Sequence, residues 1–199
     1  MADPGHVRTF NRIAPRYDDK FGRDCETAHT AVLRWAGAAR LEPGSILDIG
    51  CGTGKLLEAA ADRWPHALLH GIDPAERMVD IARARVPCAQ LSTGVAERLP
   101  QSDASVDLVV STTSFGHWTD PEAGLREVCR VLRPGGSFLI AEHAPPGLVL
   151  TLLLKVLGRL PRLHDTEGMR DLLRRTGLTP VRLDIVPGTF VVAHAKRQS

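Results

Sequence analysis

Ile46-Leu47-Asp48-Ile49-Gly50-Cys51-Gly52-Thr53-Gly54 is the stretch that decides how this chain folds. A short apolar run with one acid in it leads into three glycines at alternate positions, and a helix-forming run begins at Lys55. Glycine suits a sharp turn that a ligand must approach closely, because no Cβ stands in the way. A helix starting just beyond adds free N–H groups and the positive end of its dipole. Two phosphate-binding patterns fail here. The dinucleotide fingerprint G-x-G-x-x-G needs glycine at 55, and the P-loop needs Ser or Thr after Gly54-Lys55, where Leu56 stands. What remains is D-x-G-x-G-x-G, and the next strand delivers Asp73 at its end. A carboxylate at that place suits a ribose diol, since it only accepts hydrogen bonds and both hydroxyls donate. A structural turn with an N-cap acid before Pro74 is the competing reading. Strand, loop, helix, strand and acid in register weigh against it.

Outward from the loop, short apolar strands alternate with helices. The strands are Ser45–Ile49, Leu68–Ile72, Cys88–Ser92, Val106–Ser111 and Ser137–Glu142; the helices are Lys55–Arg63, Pro74–Arg85 and Pro121–Leu132. This alternation predicts a parallel sheet covered on both faces. Pro134-Gly135-Gly136 reads as a turn before the fifth strand. In the last quarter, 148–160 and Thr166–Thr176 are helical, and Gly177 stands at a C-cap position. Val181–Val186 and Thr189–Ala195 form an antiparallel hairpin about Pro187-Gly188. Residues 5–40 are helical, and Pro15 divides them into two short helices. The expected fold is α/β: a Rossmann-like, seven-stranded, mostly parallel sheet ending in an antiparallel hairpin, with helices on both faces and an N-terminal helical lid. A single domain is expected, with the lid at 1–42, the core at 43–145 and C-terminal helices and hairpin at 146–199.

Composition sets the outer bounds. The 199 residues carry 25 Lys plus Arg against 23 Asp plus Glu, a net charge of +2 that gives no general pull toward nucleic acid. Hydrophobic residues make up 43% and charged residues 24%, the composition of a soluble globular protein rather than a disordered one. The longest greasy stretch, Leu148 to Leu157, is broken by Thr151 and Lys155 and falls short of the ~20 apolar residues of a membrane span. The opening residues show no apolar secretory segment, so a cytoplasmic protein without stable membrane insertion is expected. Cys25, Cys51, Cys88 and Cys129 form no CxxC pair and no metal-spaced cluster, so no metal site is expected and most should be buried as small hydrophobes.

Six blocks in order resemble the class I S-adenosylmethionine-dependent methyltransferases, most of all the subgroup with ubiquinone/menaquinone-biosynthesis enzymes and other small-molecule methyltransferases. They are FNRIAPRYD at 10–18, LDIGCGTG at 47–54, GIDPAERM at 71–78, GVAERLP at 94–100, VDLVVSTTSFGHW at 106–118 and EVCRVLRPGG at 127–136. The resemblance covers roughly residues 5–145 and implies S-adenosyl-L-methionine as cofactor. It implies that Gly50, Cys51, Gly52, Thr53 and Gly54 pass the methionine part, with Asp48 near its amino group. Asp73 would hold the ribose, Pro74 and Met78 would sandwich the adenine, and Val95 and Ala96 would lie at its edge. Thr112 would close the pocket, and Tyr17 would fold over it. The family often has Asp or Asn where Val95 stands; valine cannot accept from the adenine amine, so the backbone or Glu97 must substitute.

The implied reaction is in-line displacement at a sulfonium methyl, which needs alignment and water exclusion but no metal. A base can assist by deprotonating the acceptor. His117, after the fourth strand, is the first candidate, and packing beside Trp118 is its structural alternative. His143 is the second; Tyr17 reads as a lid contact, and His164 and Asp165 as solvated loop residues. The segment 147–163 is a lid, a membrane-surface helix or ordinary core packing. The expected acceptor is a small, apolar or aromatic molecule methylated at O, N or C by a monomer or homodimer. An S-adenosylmethionine-binding protein with a non-methylating or regulatory role is the alternative, and Lys55 disfavours a nicotinamide oxidoreductase.

Overall fold

Strand β1 (Ser45–Ile49) is buried at every position, as a strand must be when helices cover both faces of its sheet. In the computed structural model, which describes residues 3–144, 165–186 and 190–198, β1 lies inside a seven-stranded sheet. The other strands are β2 (Leu68–Asp73), β3 (Gln90–Thr93), β4 (Val106–Thr112), β5 (Leu132–His143), β6 (Leu178–Val186) and β7 (Phe190–Arg197). Their order is β3-β2-β1-β4-β5-β7-β6. Neighbours from β3 to β5 are parallel, whereas β7 runs antiparallel to both β5 and β6.

The period-two alternation of the strands sorts their side chains into two cores. Leu47, Ile49, Val109, Phe138 and Ile140 face one side, beneath α5 (Pro121–Val131) and α6 (Thr166–Arg175) through Leu125, Val128, Leu172 and Leu173. Ile46, Leu108, Val110, Leu139 and Ala141 face the other side. There they meet α2 (Tyr17–Ala38) and α3 (Lys55–Arg63) through Ala28, Val32, Trp35 and Leu57. The chain therefore leaves β1 toward one face and β4 toward the other. A crevice opens between those strand ends, where open α/β sheets hold their ligands.

A lid covers the crevice. Helix α1 (Pro4–Ile13), capped by Asp3, has no fully buried residue, and Phe10 rests on a small cluster of Ala14, Ala75 and Met78. Asn11 Oδ1 accepts from the Arg77 amide at 2.9 Å, which ties α1 to the first turn of α4 (Glu76–Arg85). The fold matches the expectation in its seven strands, its mostly parallel sheet with antiparallel end strands and its helical N-terminus.

Some boundaries differ. Pro15 sits in a one-turn 3-10 segment, Ala14–Arg16, and the helix after it is 22 residues long rather than short. Its length comes from the apolar stripe of Ala28, Val32 and Trp35, which continues onto the sheet. Strand β5 begins earlier than expected, at Leu132, but the expected turn is there within it: residues 133–136 have no partner as the pairing passes from Val106–Leu132 to Leu108–Ser137, and Gly135 takes φ +78°. Strand β3 starts at Gln90, and α4 starts at Glu76 rather than Pro74. Strand β6 begins earlier, at Leu178. Only Cys25 and Cys51 are buried; Cys88 is exposed and Cys129 half-buried. Among the described residues no helix is long and apolar enough to cross a membrane, and no His, Cys, Asp and Glu group is arranged to hold a metal. The expected helix at 148–160, the segment 147–163, His164 and the Pro187-Gly188 connection lie outside the described residues.

Candidate active site

The loop after β1 turns on left-handed glycines. Gly50 has φ +77°, and a Cβ there would lie 2.3 Å from the Ser114 Cβ. Only glycine lets β1 and the segment after β4 approach this closely. Gly54, at φ +84°, is the N-cap of α3 and packs on Ala82 of α4. Two adjoining cavities flank this loop and share Tyr17, Gly50, Gly52, Thr112 and Thr113.

The larger cavity, about 660 Å³ with its open mouth included, is lined by Asp73, Pro74, Met78, Val95 and Ala96, with Phe10, His117 and Trp118 toward the lid. Asp73 Oδ2 accepts from the Gly52 amide at 3.1 Å and Oδ1 from the Ala75 amide at 2.8 Å. Each oxygen keeps one further lone pair for a donor in the cavity. Burial pushes its carboxyl up to about 6, against the pull of those two amides. Glu97 also lines the cavity, and its Oε1 accepts from the Asp120 amide at 3.0 Å.

The smaller cavity, about 340 Å³, is lined by Asp48, Cys51, Thr53, Asp18, Cys25, His29 and Lys55 besides the shared residues. Asp48 is 1% exposed, and its Oδ1 has no hydrogen-bond partner among the described residues. Burial first, and then the charge of Asp73, push its carboxyl up to about 8. A buried acceptor with no donor is costly, so it marks a place where a donor from outside would be welcome. Thr53 is held from below: its hydroxyl donates to Asp18 Oδ1 at 2.7 Å, and Arg85 donates to its carbonyl at 2.8 Å. Arg85 also reaches Asp18 Oδ2 at 2.6 Å, so one carboxylate ties α2, the glycine loop and α4 together.

His117 sits in a one-turn 3-10 segment, Phe115–His117, with its ring edge-on to Phe10 at 5.3 Å and to His6 at 5.2 Å. Burial, helped by His6 and His143, lowers its pKa, so the ring is neutral at pH 7. Glu142, 4% exposed at the end of β5, fixes this turn by accepting from the Gly116 amide at 3.1 Å. Tyr17 meets Phe10 and Phe21 and lies 3.7 Å from Cys25 Sγ through its hydroxyl; burial, then Cys25, hold its phenol proton tightly.

Most of the expected site residues therefore converge, but Gly54 and His143 do not line a cavity. Gly54 serves packing instead. His143 is exposed and stacks near Phe190 at 4.7 Å, reaching His117 only through its charge. Asp165, expected as a solvated loop residue, is exposed and caps α6 by accepting from the Gly168 amide. Asp18, Cys25, His29, Arg85 and Glu142 were not singled out from the sequence. Glu142 alone carries a local signal, an acid ending an otherwise apolar strand.

A methyltransferase-domain family model matches residues 46–136. The demethylmenaquinone methyltransferase of Deinococcus radiodurans is 37% identical over 144 residues, which cover 69% of this chain and 59% of that relative. The chain thus spans about three fifths of that relative's length. An S-adenosylmethionine-dependent methyltransferase of Thermotoga maritima shares the fold at a TM-score of 0.73 and 26% identity, covering 97% of this chain and 99% of that one. A chain from the complex between the Haloferax volcanii Trm112 methyltransferase activator and a methyltransferase gives a TM-score of 0.78 at 24% identity, covering 96% and 98%. With the motif order, the domain match and the shared architecture in agreement, the chain belongs to the class I S-adenosylmethionine-dependent methyltransferases.

Proposed function

We propose that the protein transfers a methyl group from S-adenosylmethionine to a small, largely apolar acceptor. The observation that carries this reading is the pair of acids in adjoining cavities: Asp73, with one lone pair left on each oxygen, and Asp48, with an oxygen that has no donor among the described residues. Together they fit a molecule with a ribose at one end and an ammonium at the other. Pro74, Met78, Val95 and Ala96 provide apolar surface for an adenine, and Gly50, Gly52, Thr53 and Cys51 line the amino-acid end. Bound there, the cofactor supplies an electrophilic sulfonium methyl.

The chain's own residues would then orient and protect the reacting centre. Phe10 and Tyr17 exclude water from above, and Thr112 closes the floor between the two cavities. Neutral His117, held by Glu142 through the Phe115–His117 turn, takes the acceptor's proton at its ring nitrogen. The acceptor class that suits an apolar mouth and a histidine base is a planar hydroxylated aromatic of the hydroquinone kind. The Deinococcus radiodurans relative, named for demethylmenaquinone, supports it. The net charge of +2 argues against nucleic acid as the acceptor. A cytoplasmic monomer or homodimer completes this reading.

The test is calorimetric titration with S-adenosylhomocysteine and with NAD, followed by incubation with S-adenosylmethionine and a reduced naphthoquinone. Binding of the first ligand alone, with stoichiometric release of S-adenosylhomocysteine, is the expected result. Binding without release would support a non-methylating role, and no binding would overturn the reading.

A further inference from the structure

Strand β6 stands at the margin of the sheet, with β7 on one side and no described strand on the other. At nine residues it is a long edge; β3, at the opposite margin, has four. A long bare edge is a template for another strand, and natural sheets blunt theirs with proline, bulges or lysine. Here Pro180 and the irregularity between Pro180 and Arg182 blunt only the first third of the strand. From Arg182 to Val186 the ladder with β7 is regular, and no lysine stands in it.

The side chains of this edge are unusual for an exposed strand. Among the described residues three large hydrophobics are exposed, and two of them, Val181 at 57% and Ile185 at 59%, belong to β6. Between them stand Arg182 and Asp184, both more than half exposed and 3.6 Å apart. They share the face toward α2, where the Arg182 guanidinium lies 4.2 Å from the Trp35 ring. Leu183 turns to the opposite face, against the core beneath α6.

Val181-Arg182-Leu183-Asp184-Ile185 is its own complement when reversed. A two-fold axis at Leu183, perpendicular to the sheet, sets this strand antiparallel to the same strand of a second copy. Residue 182 then stands opposite 184, and residue 181 opposite 185. Each Arg182 meets an Asp184, and each Val181 an Ile185. Opposite charges and apolar β-branched residues directly across a ladder are the pairs that stabilise a sheet. A slip of one residue loses both matches. The contact is isologous, so it closes at two copies.

We propose that β6 is a homodimer interface that joins two copies edge to edge in one continuous sheet, Arg182 of each pairing with Asp184 of the other. The edge lies outside both cavities, so the proposal is independent of the cofactor and acceptor readings. Five facing residues make a contact well below the ~1,600 Å² of a standard interface, so the dimer dissociates in the micromolar range.

The experiment is sedimentation velocity across micromolar concentrations on the unaltered protein, Arg182→Asp, Asp184→Arg and the double exchange. The unaltered protein should pass from monomer to dimer as concentration rises. Each single exchange sets like charges opposite one another and should weaken the dimer about tenfold or more. The double exchange should restore it. Since the double variant lacks the stacking on Trp35 just as Arg182→Asp does, its recovery isolates the pairing between copies from effects within one chain. Circular dichroism checks folding, and Ile185→Lys, at an exposed position on the same edge, should weaken the dimer too and decides the matter if a charge variant unfolds. A monomer at every concentration, a dimer unchanged by the single exchanges or by Ile185→Lys, or a folded double variant that stays monomeric would overturn the proposal.

Discussion

The Ser114 side chain occupies the space where a side chain on Gly50 would stand: a Cβ added at Gly50 meets the Ser114 Cβ at 2.3 Å and its Oγ at 2.4 Å. Ser114 is fixed there, donating to the Ile49 carbonyl at 2.9 Å and lying 2.9 Å from the Ser111 hydroxyl. The closeness joins the ends of β1 and β4, the two strands between which the crevice opens.

Gly50→Ala should therefore cost roughly 2–4 kcal/mol, from backbone strain at φ +77° and from overpacking. For a domain of this size, ~2–4 °C of Tm accompany each kcal/mol, so thermal unfolding reads the loss directly. A variant as stable as the parent would show that the loop relaxes freely.

Ligand binding should depend on pH through Asp48. Burial holds its carboxyl to about 8, so at pH 6 it carries a proton that an ammonium must displace. Affinity for S-adenosylhomocysteine should rise between pH 6 and 8, by up to about tenfold per unit, with proton release seen as a buffer-dependent heat. Asp48→Asn should flatten the profile. The same raised pKa works against the folded protein. The unfolded chain ionises near pH 4 while the folded one keeps its proton to about 8, so stability contributed by this group falls across that window. Asp48→Asn should accordingly raise Tm most at pH 8, where unchanged melting would contradict the shift.

His117→Ala should keep its affinity for S-adenosylhomocysteine and lose turnover by roughly 10²–10⁴-fold, the usual worth of a positioned base. Its pKa is lowered by burial, so in the parent the rate should fall only below the usual imidazole range as protonation sets in. Turnover unchanged in the variant would remove His117 from the chemistry.

Asp18→Ala should loosen the lid. It deletes two charge-assisted contacts, to Thr53 and Arg85, and should cost roughly 1–3 kcal/mol at pH 7. These partners hold the Asp18 carboxyl below its ordinary range, so its contribution is present above pH 4 and lost as pH falls through the lowered value. Chemical unfolding at pH 7 and at pH 3 should show a gap between variant and parent that closes at the lower pH.

How much of this was legible in the sequence differs between local and distant features. The glycine loop and Asp73 were legible because strand, turn and acid are consecutive, and their chemistry depends on that spacing. The start of β5 was placed late because Pro134-Gly135-Gly136 has turn composition; the chain does turn there, and the pairing of Leu132 with Val106 ahead of the turn is a contact across the sheet that no local pattern announces. Asp18 and Arg85 are 67 residues apart and meet only once α2 lies over α4, so no spacing announced their contact. Lys55 was noticed for the pattern it breaks, and its place against Gly22 needed the packed helices to be seen.

The insertion of β7 between β5 and β6 bears on how the chain matures. While the nascent polypeptide emerges, the hydrogen-bonding edge of Phe138–His143 stays bare, because its partner, Phe190–Arg197, is synthesised last among the strands. An exposed ribbon of that kind invites association with other chains. Ribosome stalling or truncation ahead of residue 190 would thus yield a species prone to aggregate, even with the entire glycine loop already made.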